Sequence, residues 1–398
     1  MKIYLNANVF DSALERINYI FDEFDNVVVS FSGGKDSTAI LNLALKVAEE
    51  RNRLPLKVFF LDQEAEWELV INYVRRVMND PRVDPMWLQV PIRLFNATSY
   101  TNSWLMCWRE DDQWMRDKED ISFKENVYGT DRFHKMFKAV IKHHFPNKRV
   151  ALLGGVRAEE SPNRRAGLTT GATYKHITYG QIMDKKTNQY VFNPLYDWSY
   201  TDIWTSIHKN KWDYCKVYDE FYRYGVAPIK MRISNLHHET AVDQLFYLQE
   251  IEPNTWNLLQ KRLSGINQAR HMNRSEMFAI KELPYMFKDW KEYRDYLLDN
   301  LIKDGLRPRF QKKFQDMDRK FREMAFKDDM YKEHINTILS NDWEFIKISN
   351  FLGRPHTINY VKHINGKKVD WNRPEKDLKY IKPEFRGEKF KTGATNEV

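Results

Sequence analysis

A run of valines that stops on serine and two glycines, then turns into a helical pattern, constrains this chain more than any other stretch. Val27, Val28 and Val29 lead through Ser30, Phe31 and Ser32 into Gly33, Gly34, Lys35, Asp36 and Ser37. Ile40, Leu41, Ala44, Val47 and Ala48 then recur at helical spacing. The pattern predicts a strand, a tight glycine loop and a helix N-terminus. That geometry aims several unpaired backbone N–H groups and the positive end of a helix dipole at one spot, which suits a phosphate or pyrophosphate. Gly33 and Gly34 let the backbone approach an anion and take positive φ. Ser32 and Ser37 add hydroxyls and Lys35 a charge. Ser30, at the strand end, joins the candidate binding set.

The loop does not fit the Walker A pattern, which needs glycine five positions before the Gly-Lys pair and Ser or Thr directly after the lysine. Val29 and Asp36 stand there instead. The hexamer over residues 32–37 resembles the SGGKDS loop of the PP-loop ATP pyrophosphatases. In those proteins the loop grips the β,γ-pyrophosphate while chemistry occurs at the α-phosphate.

The rest of the first half alternates. Residues 9–24 read as an amphipathic helix with Leu14, Ile17, Ile20 and Phe21 on one face and Asp11 or Ser12 as its cap. A second strand over 57–61 ends at Asp62, a helix carrying Val70, Ile71, Val74 and Val77 follows, and 86–94 reads as a third strand. Alternation resumes at 149–153, where a buried strand runs into Gly154 and Gly155. The expected fold is α/β, a doubly wound, mostly parallel sheet with a mainly helical C-terminal region. Ligands of such sheets bind at the carboxyl ends of the strands, where Ser32 and Asp62 are expected. Asp62 reads either as a contact to ribose, adenine or Mg²⁺, or as a helix N-cap.

Three parts are expected. Residues 1–235 form a nucleotide-binding domain with an insertion at about 95–149, 236–340 a helical domain, and 341–398 a basic, aromatic-containing segment. The insertion carries Trp104, Trp108 and Trp114 among many charges and reads as a lid over the site or as a surface subdomain. After Gly155 come Arg157, Glu159, Glu160, Arg164 and Arg165, which either clamp an anion in bidentate fashion or form a solvated charge run. Residues 193–204 read as an aromatic-rich turn, with Ser199 or Thr201 capping a helix.

Taken together, the segments 32–37, 155–165 and 194–204 resemble, in order and rough spacing, the phosphoadenosine phosphosulfate (PAPS) reductase-like family of the adenine nucleotide alpha-hydrolase superfamily. The resemblance covers roughly residues 25–235. It implies that Ser32, Gly33, Gly34 and Ser37 hold phosphate with Lys35 assisting, and that Asp36 fixes the loop or its Mg²⁺. Gly155 lies at the same site. Arg157, Arg164 and Arg165 would face the sulfate or phosphate end, and Asp197 and Trp198 would support the nucleotide pocket. Lys35, Asp36 and Arg157 are the catalytic candidates, and Asp36 is the metal candidate. The whole chain is similar to the branch typified by immunoglobulin-binding regulator A. That branch carries a C-terminal domain of unknown function and often pairs with a ParB/sulfiredoxin-like protein.

The resemblance implies ATP, or PAPS or adenylyl sulfate, with Mg²⁺. It also shows a departure. The reductases need a C-terminal cysteine, and some hold an iron–sulfur cluster on paired cysteines. This chain has only Cys107 and Cys215, in no CxxC pair, so no iron–sulfur cluster is expected and Cys215 suits packing better than catalysis. His237 and His238 are adjacent and would point apart on a helix, which argues against a metal pair.

Sixty-three Lys and Arg against 55 Asp and Glu leave a net charge of +8, which fits phosphate-bearing partners without choosing between nucleotide and nucleic acid. The tail interleaves Lys367, Lys368, Arg373, Lys376 and Lys379 with Trp371, Tyr380 and Phe385, so it either tracks a single strand or packs its aromatics on the domain. No apolar leader and no membrane-length stretch occurs, so a soluble cytoplasmic protein is expected. Three functions stay open: an enzyme cleaving ATP between its α- and β-phosphates, a sulfonucleotide-handling protein, and a nucleotide-gated or nucleic-acid-associated regulator.

Overall fold

The valine run forms the middle of a sheet. In the computed structural model, which describes residues 6–96, 104–170, 173–263, 265–266, 282–302, 305–324, 326–339, 342 and 345–365, strand β1 (Asn26–Ser30) follows helix α1 (Val9–Glu23). Next come α2 (Lys35–Glu50), β2 (Leu56–Leu61), α3 (Glu68–Met78), β3 (Val83–Leu88), β4 (Ile92–Phe95), β5 (Trp104–Cys107) and α4 (Phe133–His144). The first unit ends with β6 (Val150–Leu153), α5 (Pro162–Thr170), β7 (Gly180–Asp184), β8 (Gln189–Phe192), α6 (Tyr200–Lys209), α7 (Val217–Arg223), α8 (Leu245–Ile251) and α9 (Pro253–Arg262).

Six strands lie in the order β3–β2–β1–β6–β8–β7. β1 is flanked by β2 and β6, and its pairings with both are parallel, with Val28 opposite Lys57 on one side and Leu152 on the other. β3 and β8 extend the parallel sheet, and only β7 runs antiparallel, on the edge. Parallel sheets are covered on both faces, so their strands are apolar throughout. Val28, Val29, Val58, Phe59, Ala151 and Leu153 accordingly expose 1% or less of their surface. The right-handed crossover rule then brings the ends of β1, β2 and β6 together on one rim.

Four expectations change in detail. The expected strand over 86–94 stops at Leu88, because Gln89 turns its side chain inward and Pro91 cannot donate to a ladder. The insertion holds a two-stranded antiparallel sheet, β4 with β5, an irregular stretch, and then α4. The β7–β8 hairpin was not anticipated. The cap of α1 is Asn8, whose side chain accepts from Asp11 N at 2.8 Å, rather than Asp11 or Ser12.

The chain divides into two compact units, 1–270 and 271–398. Residues 236–266, expected to open a separate helical domain, therefore belong with the sheet. The reason is packing: Leu245, Leu248, Trp256, Leu259 and Leu263 share one apolar core with β1 and β2. Glu252, between α8 and α9, also accepts from the first N–H groups of α3, Glu68 N at 2.7 Å and Leu69 N at 2.9 Å. The second unit is helical where described, with helices at Trp290–Leu301, Arg307–Lys320, Lys327–Leu339, Ile346–Leu352 and Pro355–Ile364. At its centre Arg294 pairs with Asp318 at 2.9 Å beside the buried His334. The basic tail from residue 366 onward lies outside the described residues. Among the described residues no helix is long and apolar enough to cross a membrane.

Candidate nucleotide site

The loop between β1 and α2 is built around the hydroxyl of Ser37. Its Oγ accepts from Ser32 N at 3.2 Å and Ser32 Oγ at 3.1 Å, and donates to Gly34 O at 2.9 Å. The two glycines are needed for different reasons. Gly33 sits at φ +71°, and a Cβ there would lie 2.8 Å from Val70 Cγ1, so both backbone and packing demand glycine. Gly34, the N-cap of α2, has φ −80° and ψ 161°, ordinary for any residue. A Cβ on Gly34 would meet its nearest neighbours, Tyr218 Oη and Ser32 Oγ, at 3.5 and 3.6 Å, which is normal contact. Nothing in the folded chain itself asks for glycine at 34.

The positive groups of the loop are held by neighbours. Lys35 N donates to the hydroxyl of Tyr218 at 3.0 Å, and Lys35 Nζ donates to Met231 O at 3.1 Å and lies 3.2 Å from Asp36. Asp36 also takes Nε of Arg157 at 2.5 Å. Arg157 is 4% exposed and reaches Glu159 at 3.2 Å and the carbonyl of Trp198 at 3.3 Å. Glu159 in turn accepts from Tyr200 N at 2.7 Å. The three sequence segments thus converge through Asp36, Arg157 and Glu159.

The other expected residues take varied positions. Gly155 packs against the first turn of α2, where a Cβ would lie 2.7 Å from Asp36 O. Asp197 is held by Arg16 of α1 in two bonds of 2.7 Å, and the buried Trp198 donates its indole N–H to Val9 O. Both therefore fasten α1 to the sheet. Arg164 and Arg165 lie exposed on α5, with Arg164 3.7 Å from Glu160. Ser30 and Ser32 line the cleft described below.

Asp62 is a correction. Its carboxylate has no exposed surface and takes Arg116 Nη2 at 2.5 and 2.6 Å, Trp87 Nε1 at 2.9 Å, Gln89 Nε2 at 3.0 Å and Glu64 N at 2.9 Å. Five bonds saturate both oxygens, so the side chain turns into the protein and offers nothing to a nucleotide. Asp62→Ala is expected to cost about 3–5 kcal/mol, since it strands a buried guanidinium. Urea unfolding measures this. The expected Mg²⁺ meets a similar difficulty at Asp36, whose oxygens already face Arg157 and Lys35. A carboxylate neutralised by two cations does not fit as a magnesium ligand, and among the described residues no group of three or more His, Cys, Asp or Glu side chains could hold a metal ion.

Above the loop opens a cleft of ≈ 180 Å³, lined by Ser32 and Gly34, by Phe59, Phe60 and Leu61 of β2, and by Phe133 and Phe137 of α4. Gln63, Glu66, Ile233, Ser234 and Asn235 complete it. None of these last five was expected at the site from the sequence. Glu66 is buried; burial first, and then the charge of Asp62, push its carboxyl up to about 8, with Arg116 opposing. Asn235 donates its side-chain amide to Glu66 Oε1. The insertion lies against the loop after β2: Trp108 N donates to Glu64 at 3.0 Å, and Trp108 Nε1 to Asp62 O at 2.9 Å. Both cysteines are free and buried, and burial pushes the Cys215 thiol up to about 12 and that of Cys107 up as well.

The family profile described as the phosphoadenosine phosphosulfate reductase domain matches residues 26–225, half of the chain and all three converging segments. The chain belongs to that family. A second profile, a domain of unknown function (DUF3440), matches residues 225–362 of this PAPS reductase-family chain. The uncharacterized protein YbdN of Escherichia coli K12 is 29% identical over 322 residues, which cover 75% of this chain and 77% of that protein. Among solved structures, FMN adenylyltransferase of Candida glabrata is 17% identical over 54% of this chain and 62% of its own, with a TM-score of 0.33. The PAPS reductase of Candida auris, in a phosphate complex, is 13% identical over 60% of this chain and 99% of its own, with a TM-score of 0.31. The loop built around Ser37 lies within the stretch that the family profile matches.

Proposed function

We propose that this PAPS reductase-family protein is an enzyme that binds ATP across the loop and the adjoining cleft and cuts it between the α- and β-phosphates. One observation carries the reading: Gly34 sits at a helix N-terminus, in a conformation and a space that would accept a side chain, and yet is glycine. A side chain there would fill the place from which the α2 N–H groups reach an anion.

In this reading the β,γ-pyrophosphate rests on the loop and the α-phosphorus faces the acceptor. The acceptor's oxygen attacks the α-phosphorus, the bond from that phosphorus to the bridging oxygen of the β-phosphate breaks, and pyrophosphate leaves with the electron pair. The charge that develops on it is met by loop N–H groups and by Lys35, the kind of contact whose removal costs on the order of a hundredfold in rate. Arg157 holds Asp36, and through it the ammonium of Lys35. Reactions with α- and γ-labelled ATP, separated by thin-layer chromatography, are expected to yield labelled AMP or an adenylylated acceptor, and labelled pyrophosphate. ADP and inorganic phosphate as first products would overturn the reading. A sulfonucleotide in place of ATP would use the same loop, and competition by PAPS against ATP binding measures that preference.

A further inference from the structure

We propose that Glu66 and Asn235 form the base-reading pair of the cleft and select adenine over guanine. The inference rests on the reading that the cleft takes a nucleotide, and goes beyond it by naming the residues that recognise the base.

The cleft is apolar where Phe59, Phe133 and Phe137 line it, and Glu66 and Asn235 are polar side chains on the same wall. A flat heterocycle between aromatic walls is oriented by a few such groups. The pair is fixed in place before any ligand arrives. Glu64, two residues before Glu66, is held at φ +63° with its carboxylate wholly buried. Arg262 pairs with that carboxylate at 2.6 Å, and Trp108 N and Met115 N donate to it at 3.0 and 3.3 Å. Leu236 N donates to Ala65 O at 2.8 Å, which stitches the strand of chain carrying Asn235 to the loop carrying Glu66. A strained turn over-determined from three sides is a device for holding side chains in register.

The donor and acceptor pattern follows from counting. Asn235 spends an amide hydrogen on Glu66 Oε1, which leaves Asn235 Oδ1 as an acceptor and Glu66 Oε2 for the ligand. With the Glu66 carboxyl protonated, Oε2–H is a donor beside that acceptor. Adenine presents the complement: N1 accepts and the 6-amino group donates. With the carboxyl ionised, the pair offers two acceptors, which match the N1–H and 2-amino group of guanine instead. The charged groups that bear on Glu66 are Asp62, which favours the neutral acid, and Arg116, which opposes it; the buried Cys107 thiol also faces it. The balance leaves the acid neutral below about pH 8, so adenine recognition is the state expected at neutral pH.

The test uses the full chain and equilibrium binding of ATP and GTP from pH 6.5 to 9.5. The wild type is expected to prefer ATP by roughly ten- to hundredfold at pH 7. Its ATP affinity should fall roughly tenfold per pH unit above about 8, as the competent fraction falls. Glu66→Gln keeps a donor and an acceptor at every pH, so it should retain ATP binding and flatten the profile. Asn235→Ala, which removes the acceptor, should lose most of the preference if Glu66→Gln proves too unstable to measure. A wild type that binds ATP and GTP equally, or a Glu66→Gln profile that falls as the wild type's does, overturns the pair while leaving the nucleotide cleft standing. A wild type that binds neither nucleotide overturns the cleft itself.

Discussion

Gly34→Leu is expected to leave the protein folded and to abolish nucleotide binding. The backbone at 34 lies where any residue can sit, and the first atom of a side chain would find normal contacts with Tyr218 and Ser32. The rest of a leucine would extend over the N-terminus of α2, into the volume proposed above for the phosphate oxygens. At a hundredfold excess of ATP over its dissociation constant the wild type gains about 2.7 kcal/mol from mass action, and the variant should gain nothing. Thermal melts with and without ATP read this directly. Gly33→Val is the contrasting control. Positive φ and a clash with Val70 act on the fold itself, so that variant should lose stability before ligand is added. An unchanged ATP shift in Gly34→Leu would remove the loop as the phosphate site.

The second large effect is expected at Arg157. Its guanidinium is almost wholly buried and joins Asp36 of the loop, Glu159, and the backbone of the turn at Trp198. Arg157→Ala leaves Asp36 facing Lys35 alone and removes the one residue, among those described, that bonds to all three segments, at Asp36, Glu159 and Trp198. Breaking a buried pair of this kind costs about 3–5 kcal/mol. Asp36 keeps 21% of its side chain exposed, so the lower end applies. Arg157→Lys keeps the charge but not the planar fork and should recover only part of the loss. Urea unfolding gives the number. A cost under about 1 kcal/mol would put the contact in the class of surface ion pairs and leave Arg157 free for another role.

Much of the centre of the molecule was legible in its residues. A run of β-branched side chains ending in glycine has few ways to fold, and β1 and α2 follow it, with the loop differing at Gly34, which was expected at positive φ and sits at −80°. Asp62 shows where such reasoning ends. An acid at the end of a parallel strand looks the same in sequence whether it faces a ligand or the interior. Here its partner, Arg116, lies in the insertion, 54 residues on, and nothing local announces the pairing. Glu66 was passed over for a related reason. It shares the Gln63–Trp67 stretch with two other polar or charged residues, Gln63 and Glu64, and the turn at Glu64 decides which of them the cleft receives. Arg157, read either as a clamp on an anion or as part of a solvated charge run, is buried and pairs with two carboxylates of its own chain, Asp36 and Glu159, which no local pattern announces. The edge hairpin β7–β8 carries mixed, half-exposed residues, and a half-exposed strand leaves a weak period to read.

The family profiles divide the chain at residue 225, but the cleft does not end there. Met231, whose carbonyl holds Lys35, and Ile233, Ser234 and Asn235, which complete the lining, all lie on the far side of that line. Arg262, which locks the turn before Glu66, lies farther still. A gene fragment cut at the profile boundary would therefore encode the glycine loop without the residues that complete the cleft beside it. Exchange of the first module between genes would carry its chemistry only if some forty residues of the second travelled with it, so the seam visible to sequence comparison is not a place where this protein can be taken apart.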